Sequence, residues 1–219
     1  MNEQENNKMY FSGEIVSEPT LTHTVYDEGF YEFDVRIPRL SGAEDILPVT
    51  ISERLLCGQE IGKGTKINAV GQFRSYNKIE DERSRLVLTA FVQELLTGET
   101  EENPNSIMLN GYVCKPPIYR TTPFNREIAD LLIAVNRAYN KSDYIPCVAW
   151  GRNARFASML SVGDRIAVSG RVQSRQYEKK YSETDIRRKT AYEVSISKLA
   201  THDTDDVLDL NKEFKRYVG

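Results

Sequence analysis

The second half of the chain alternates apolar and polar side chains in five short stretches. In residues 165–175, Ile166, Val168 and Val172 alternate with polar neighbours. Such alternation is typical of a β-strand that buries one face. The other stretches are 107–113, 128–135, 143–150 and the segment around Tyr192, Val194 and Ile196. The pattern therefore predicts five strands in this half.

A helix and a loop interrupt the predicted strands. Residues 153–160 predict a short helix that ends near Gly163, because glycine commonly follows a helix C-terminus. The charged stretch 178–189 predicts a long hairpin loop between the fourth and fifth strands.

The chain also contains an internal repeat. Residues 13–19 return as residues 111–117, 98 positions later, and 33–39 recurs at the same offset. A period near 100 residues is longer than that of a solenoid unit (about 20–50 residues) and matches a small domain. The sequence therefore predicts two tandem copies of one fold.

Five strands with a helix between the third and fourth fit the OB-fold barrel. We therefore expect an all-β protein of two tandem five-stranded OB-fold barrels, each with a short helix. Pro48 and Pro146 fall in the predicted third strands and favour an edge or a bulge there, since proline cannot donate a ladder hydrogen bond. The expected domains are 1–98, a linker at 99–105, 106–200, and an extension at 201–219 that carries a candidate C-terminal helix.

The two predicted domains differ sharply in charge. Residues 1–104 carry 10 basic and 19 acidic side chains, whereas residues 105–200 carry 16 basic and 8 acidic ones. The basic half favours a polyanionic partner, and the acidic half does not. The alternative is that charge has drifted on solvated surfaces.

Composition argues against several other classes of protein. The sequence contains no run of about 18 apolar residues, the length that a membrane span requires. Its polar N-terminus is unlike a signal peptide. Cys57, Cys114 and Cys147 lack close metal-ligand spacing, so we expect reduced core cysteines in a cytoplasmic protein with no metal or cofactor. The only two histidines, His23 and His202, lie in no triad-like setting, so we expect no enzymatic activity.

Residues 106–199 resemble the bacterial single-stranded DNA-binding proteins. The resemblance is carried by Ile133-Ala134-Val135-Asn136-Arg137, by residues 143–154 (DYIPCVAWGRNA), by Gly163-Asp164 and by residues 168–177 (VSGRVQSRQY). It implies sequence-independent binding of single-stranded DNA through OB-folds, usually four per assembly. Two OB-folds per chain therefore predict a homodimer.

The resemblance also places the stacking residues of the family on this sequence. They are Tyr139, Tyr144, Trp150 and Tyr177. Tyr144 and Trp150 share one strand parity, while Ile145, Cys147 and Ala149 share the other and suit the barrel interior. The alternatives are that Trp150 is a core residue and that Tyr139 is an ordinary surface tyrosine.

Basic residues interleave with these aromatic positions. Such side chains can pair with phosphates and stack on bases. The candidate DNA-binding cations are Arg137, Arg152, Arg171, Arg175, Lys179, Lys180, Arg187, Arg188 and Lys189.

The first half loses most of this pattern. By the repeat, Ser41, Ile46 and Ser52 replace Tyr139, Tyr144 and Trp150. We therefore expect a degenerate OB-fold that serves in spacing, dimerisation or partner contact. The alternative is weak binding of nucleic acid through Arg74, Tyr76, Lys78, Arg83 and Arg85.

The whole chain is expected to bind single-stranded DNA in replication, recombination or repair. Proteins of those processes are further candidate partners, although the family's acidic recruiting tail has no counterpart in the printed sequence. Two alternatives remain: an OB-fold adaptor or primosome-like protein that binds mainly proteins, and an RNA-binding protein, since stacking does not require or exclude the 2′-OH.

Overall fold

The computed structural model describes residues 6–56, 58, 61–80, 83–97, 104–180 and 186–201. In these residues the first half contains β1 (Asn7–Ile15), β2 (Thr20–Val25), β3 (Glu28–Pro38), β4 (Glu44–Ser52), α1 (Glu53–Leu56), β5 (Lys66–Glu80) and β6 (Arg83–Leu95). The second half contains β7 (Asn105–Val113), β8 (Ile118–Thr121), β9 (Glu127–Arg137), β10 (Lys141–Trp150), α2 (Arg152–Ala157), β11 (Arg165–Lys180) and β12 (Ile186–Thr201). Neither of these helices has the length or apolar character of a membrane span.

The strand pairings close a ring of five strands in each half. In the first half the order is β1-β3-β4-β6-β5 and back to β1, with β4 and β6 parallel. The second half repeats it as β7-β9-β10-β12-β11 and back to β7, with β10 and β12 parallel. This strand order and the short helix after the third ring strand confirm the predicted all-β OB-fold class.

Inward-facing side chains of the rings form the core. In β10, Ile145, Cys147 and Ala149 are buried, as their shared parity predicts. A bulge shifts the pairing register opposite Gly71 of β5 and opposite Gly170 of β11, with the extra residue on β6 and on β12 respectively. A Cβ at either glycine would lie about 2 Å from a carbonyl oxygen of the facing strand (Phe91 O or Ser195 O), so the repeat keeps glycine there.

A shared sheet joins the halves, and an equivalent pair of side-chain hydrogen bonds lies within each half beside the junction. Antiparallel pairing of β1 with β7 makes one continuous sheet. The Asn7 side chain donates a hydrogen bond to the backbone C=O of Phe73 and accepts one from its N–H. Asn105 makes the same two hydrogen bonds with Val172, and the N···O distances are 2.7–3.0 Å. Each half therefore uses the first residue of its first strand to fix its own ring beside the junction.

The structure changes some of the sequence-based boundaries. The predicted loop at 178–189 is wrong over most of its length, because β11 extends to Lys180 and β12 begins at Ile186. The predicted helix at 153–160 is shorter and begins at Arg152. Strands β2 and β8 were not predicted, since all their side chains are exposed and leave no apolar alternation.

The remaining predictions concern the proline of the third strand and segments that the structure does not describe. The β9–β10 register passes Pro146 without a shift, and β12 pairs with β10 only at Cys147 and Val148, which agrees with an edge rather than a bulge. Cys57, most of the linker and the candidate C-terminal helix lie outside the described residues. The domain boundaries themselves stay predictions.

Candidate nucleic-acid interface

A cavity of about 670 Å³ lies on the outer face of the second half, and we call it the Trp150 groove. Strands β8 to β12 supply most of its lining, and Arg39, the residue after β3, contributes from the first half. Its polar and aromatic lining includes Arg39, Arg120, Arg126, Asp130, Trp150, Arg171, Arg175 and Glu193.

Trp150 occupies the last position of β10. Its side chain points away from the core, and the residue is 40% exposed. The indole Nε1 donates a hydrogen bond to Ser195 Oγ at 3.3 Å, which fixes one edge of the ring. The alternative that Trp150 is a core residue is therefore wrong, and part of its ring surface is accessible to a ligand.

Five arginines line the Trp150 groove, and three of them pair with carboxylates. Arg120 Nε lies 2.8 Å from Asp130 Oδ2, and Arg175 Nε lies 3.8 Å from Glu193 Oε1. Arg39 forms a two-point pair with Asp45. The described lining of the groove contains two acidic residues, Asp130 and Glu193, against the five arginines, so cations exceed anions there. Such a groove suits a phosphate backbone.

Arg171 differs from the other groove arginines. Its terminal nitrogen donates to Gln173 Oε1 at 3.4 Å, whereas its Nε is buried without a hydrogen-bond partner. Sequence analysis identified Arg171 and Arg175 but missed Arg39, Arg120 and Arg126. The last two flank the β8–β9 turn, and no pattern predicted β8.

The other predicted stacking residues lie outside the Trp150 groove. Tyr177, 37% exposed on β11, lines a second cavity of about 450 Å³ together with Tyr76 of the first half. Tyr144 is partly exposed at the junction, where its backbone N–H donates to Ser75 Oγ at 2.7 Å. Tyr139 is 94% exposed in the β9–β10 turn with φ near +62°. The structure therefore distributes these rings over the surface rather than in one pocket.

The remaining predicted cations also lie apart from the groove lining. Lys180, Arg187 and Arg188 are exposed on the β11–β12 hairpin, Lys189 is half-buried there, and Arg188 lies 3.6 Å from Glu178. Arg152 is exposed at the start of α2. The side chain of Lys179 lies outside the described set.

Arg137 is at the junction between the halves, 3.6 Å from Asp143. Burial raises the pKa of Asp143, although a hydrogen bond from Ser75 N and the nearby Arg137 act in the opposite direction. Burial also lowers the pKa of Arg74 to about 10, and repulsion by Arg137 adds to this shift. The junction therefore holds charges that are costly to keep ionised.

The first half presents a different face at the equivalent positions. Ser52 replaces Trp150, and its buried hydroxyl hydrogen-bonds Glu28, which replaces Arg126. Nearby, the His23 and Phe30 rings stack with centroids 4.9 Å apart, Phe91 follows at 6.1 Å, and Arg74 lies 3.7 Å above Phe91. Sequence analysis missed this His23 stack because its members are distant in sequence and occupy none of the family's stacking positions.

The described residues offer no metal centre: nowhere among them do three His, Cys, Asp or Glu side chains form a group that could hold an ion. Cys147 is buried in the core, where burial raises its thiol pKa. Cys114 is partly buried, and its Sγ donates to Leu132 O at 3.2 Å.

Residues 104–201 match the model of the single-strand binding protein family. "Single-stranded DNA-binding protein 1" of Staphylococcus aureus (strain COL) is 40% identical over 81 residues, which cover 34% of this chain and 48% of that protein. "Single-stranded DNA-binding protein A" of Bacillus subtilis (strain 168) is 37% identical over 81 residues, 34% of this chain and 47% of that protein. The chain thus spans about half the length of these curated relatives.

A solved structure matches both halves. The wild-type single-stranded DNA-binding protein from Thermus aquaticus aligns with a TM-score of 0.67 and 21% identity over 90% of this chain and 93% of that one. This likeness supports the fold over nearly the whole chain. The second half of this chain is therefore similar to the single-strand binding protein family.

Proposed function

We propose that this protein binds single-stranded DNA without sequence preference, mainly through its second half. The observation that carries the proposal is the Trp150 groove, where a partly exposed indole lies among arginines. A sequence-blind binder needs flat π surfaces for bases and cations for phosphates, and this groove offers both. The related proteins that match this half carry the name single-stranded DNA-binding protein.

In the proposed mechanism, a base stacks on the accessible part of Trp150 while phosphates pair with the groove arginines. The carboxylates beside Arg120 and Arg175 hold the guanidinium groups in place before binding, and phosphates then compete for their N–H donors. Further DNA contacts are proposed at Arg137, Tyr139, Tyr144, Arg152, Tyr177, Lys179, Lys180, Arg187, Arg188 and Lys189.

The direct test is a binding titration of the full chain with fluorescently labelled oligonucleotides of one mixed sequence. Fluorescence anisotropy compares three ligands of this sequence: the single-stranded DNA, the double-stranded DNA and the single-stranded RNA. We expect single-stranded DNA to bind at least tenfold more tightly than the duplex, and a second unrelated sequence to bind equally well. Equal affinity for the duplex would contradict the proposal, and a clear preference for RNA would favour the RNA-binding alternative.

We further propose that the protein acts in the cytoplasm as a non-enzymatic homodimer in replication, recombination or repair. A two-fold pair would present four OB-folds, and two-fold pairing is the commonest route to an oligomer. Light scattering should give twice the 25.0 kDa chain mass at micromolar concentration. A mass of one chain would contradict the dimer without affecting the DNA-binding proposal.

A further inference from the structure

Two grooves adjoin each other on the hairpin formed by β11 and β12. Arg175 lines the Trp150 groove, and Tyr177, two residues further on the same face of β11, lines the second cavity of about 450 Å³. The Arg175 guanidinium carbon lies 5.9 Å from the centre of the Tyr177 ring. The two grooves therefore lie next to each other at this pair of side chains.

The second cavity, which we call the junction groove, is built by both halves. The first half contributes Tyr76, Lys78 and Arg85 from β5 and β6, and the second half contributes Tyr177 and Tyr192. Tyr76 and Tyr177 are the exposed aromatic residues of this lining, and the two cations outnumber its one described acid, Glu32. The junction groove thus combines aromatic surfaces with positive charge, as the Trp150 groove does.

The acidic half also reaches into the Trp150 groove through Arg39. Asp45, fully buried, holds the Arg39 guanidinium at two points and also accepts the backbone N–H of Ser174 at 2.7 Å. The hydroxyl of Ser174 in turn accepts the N–H of Ile46 at 3.2 Å. These bonds fix Arg39 against the second half at Ser174, the residue before Arg175, and both arginines line the Trp150 groove.

We propose that one strand of DNA runs from the Trp150 groove past Arg39 and Arg175 into the junction groove, where Tyr76 and Tyr177 stack bases. The binding site is then composite: the first half supplies a phosphate contact at Arg39 and a stacking surface at Tyr76. This inference rests on the proposed function. It reassigns the first half from a spacer to a contributor, without requiring a complete groove of its own.

The test uses the full chain and labelled oligothymidylates of about 5 and about 25 nucleotides, lengths that fit one groove or extend well beyond it. Tyr76→Ala should weaken binding of the long strand about fivefold or more, the loss expected for one base stack, and leave the short strand within twofold. Tyr76→Phe, which keeps the ring, should bind like the unchanged protein. Tyr112→Ala is the matched control, since Tyr112 has a similar exposure (38% against 42% for Tyr76) and lines neither groove.

Arg39 is tested in a pair of changes that keeps the net charge of the chain. In Arg39→Gln with Asp45→Asn, the new amide oxygen can still accept the Ser174 N–H, so the junction is retained. The slope of log affinity against log salt concentration should fall in magnitude by about 0.7, the contribution of one phosphate contact on a single strand. Arg36→Gln is the control, because Arg36 lies only three residues before Arg39, near the end of β3, pairs with Glu14 at 3.0 Å and does not line the Trp150 groove.

Photo-crosslinking identifies the contact independently of affinity. A long oligothymidylate that carries 5-iodouracil should crosslink to a peptide containing Tyr76 as well as to peptides of the second half. Crosslinks confined to residues beyond 104, with Tyr76→Ala behaving like Tyr112→Ala, would overturn the composite site and leave the proposed function intact. No binding by the unchanged protein would overturn both.

Discussion

The two halves of this chain share one strand order and one set of junction bonds, yet they present opposite faces to solvent. At the last position of the third ring strand, the second half has an exposed Trp150 and the first half has a buried Ser52. Arg126 and Arg171 correspond to Glu28 and Gln72 by the repeat. The comparison teaches that the inward positions preserve the fold while the outward positions determine what it can bind.

Inward positions differ little between the halves. Leu47 and Val49 occupy the places of Ile145 and Cys147, and all four side chains are buried in the core. Each exchange conserves apolar character and approximate volume, which cores tolerate well. The sequence differences between the halves are therefore concentrated at outward positions, where they change what the surface can bind rather than the stability of the fold.

Converting the second face into the first should have the largest effect. The triple variant Arg126→Glu, Trp150→Ser and Arg171→Gln installs the first-half residues on the Trp150 groove. It removes one stacking surface and two cations, so affinity for single-stranded DNA should fall about 100-fold or more. Anisotropy with a labelled oligonucleotide measures the loss, and circular dichroism verifies the fold. A loss of affinity below threefold in a folded variant would contradict the claim that these outward residues determine binding.

The indole alone should account for a large part of that effect. Trp150→Ala should cost about 1–3 kcal/mol of binding free energy, the usual value of one base–aromatic stack. Trp150→Phe should recover more than half of it, because a flat ring remains. Since the indole is partly exposed and makes one hydrogen bond, the free energy of unfolding should fall by only about 1 kcal/mol. Global unfolding of the alanine variant would contradict the small contribution to stability expected for Trp150.

Equal changes on the shared frame should have equal effects in the two halves. Asn7→Ala and Asn105→Ala each remove two buried hydrogen bonds to a backbone N–H and C=O. Each should lower the free energy of unfolding by about 1–3 kcal/mol, measured by urea titration. A difference of more than about 2 kcal/mol between them would show that the two frames are not energetically equivalent.

The smallest expected effect concerns pH at the junction. Burial raises the folded-state pKa of Asp143 above its ordinary 3.8, so its protonated form is favoured by folding. Its contribution to stability is therefore fully present below pH 3.8 and is lost as pH rises through the folded-state pKa.

Asp143→Asn removes this titration. The difference in unfolding free energy, unchanged protein minus variant, should decrease as pH rises from about 3.8 to neutrality. Urea titrations at several pH values measure it. A difference that increases over this range would show that pairing with Arg137 outweighs burial.

The sequence was informative where one face of an element is buried. The parity of Tyr144 and Trp150 against Ile145, Cys147 and Ala149 predicted the outward and inward faces of β10 correctly. It failed where both faces meet solvent: β2 and the ends of β11 and β12 carry exposed side chains, so hydrophobic periodicity has nothing to detect there.

The candidate site was predicted only in part, for a different reason. Trp150, Arg171 and Arg175 came from one continuous half, where the family resemblance applies. Arg39 and Tyr76 come from the other half, and only the folded junction brings them to the same grooves. A contact made across two copies of a repeat has no local sequence signature.

The most direct test of the central claim is the intrinsic fluorescence of Trp150, the only tryptophan of the chain. Titration of the full protein with an oligothymidylate of about 25 nucleotides should quench this fluorescence to saturation, and added salt should reverse the quenching. Saturable binding detected by anisotropy, with no change in Trp150 emission, would contradict the claim that the second half binds DNA through this groove.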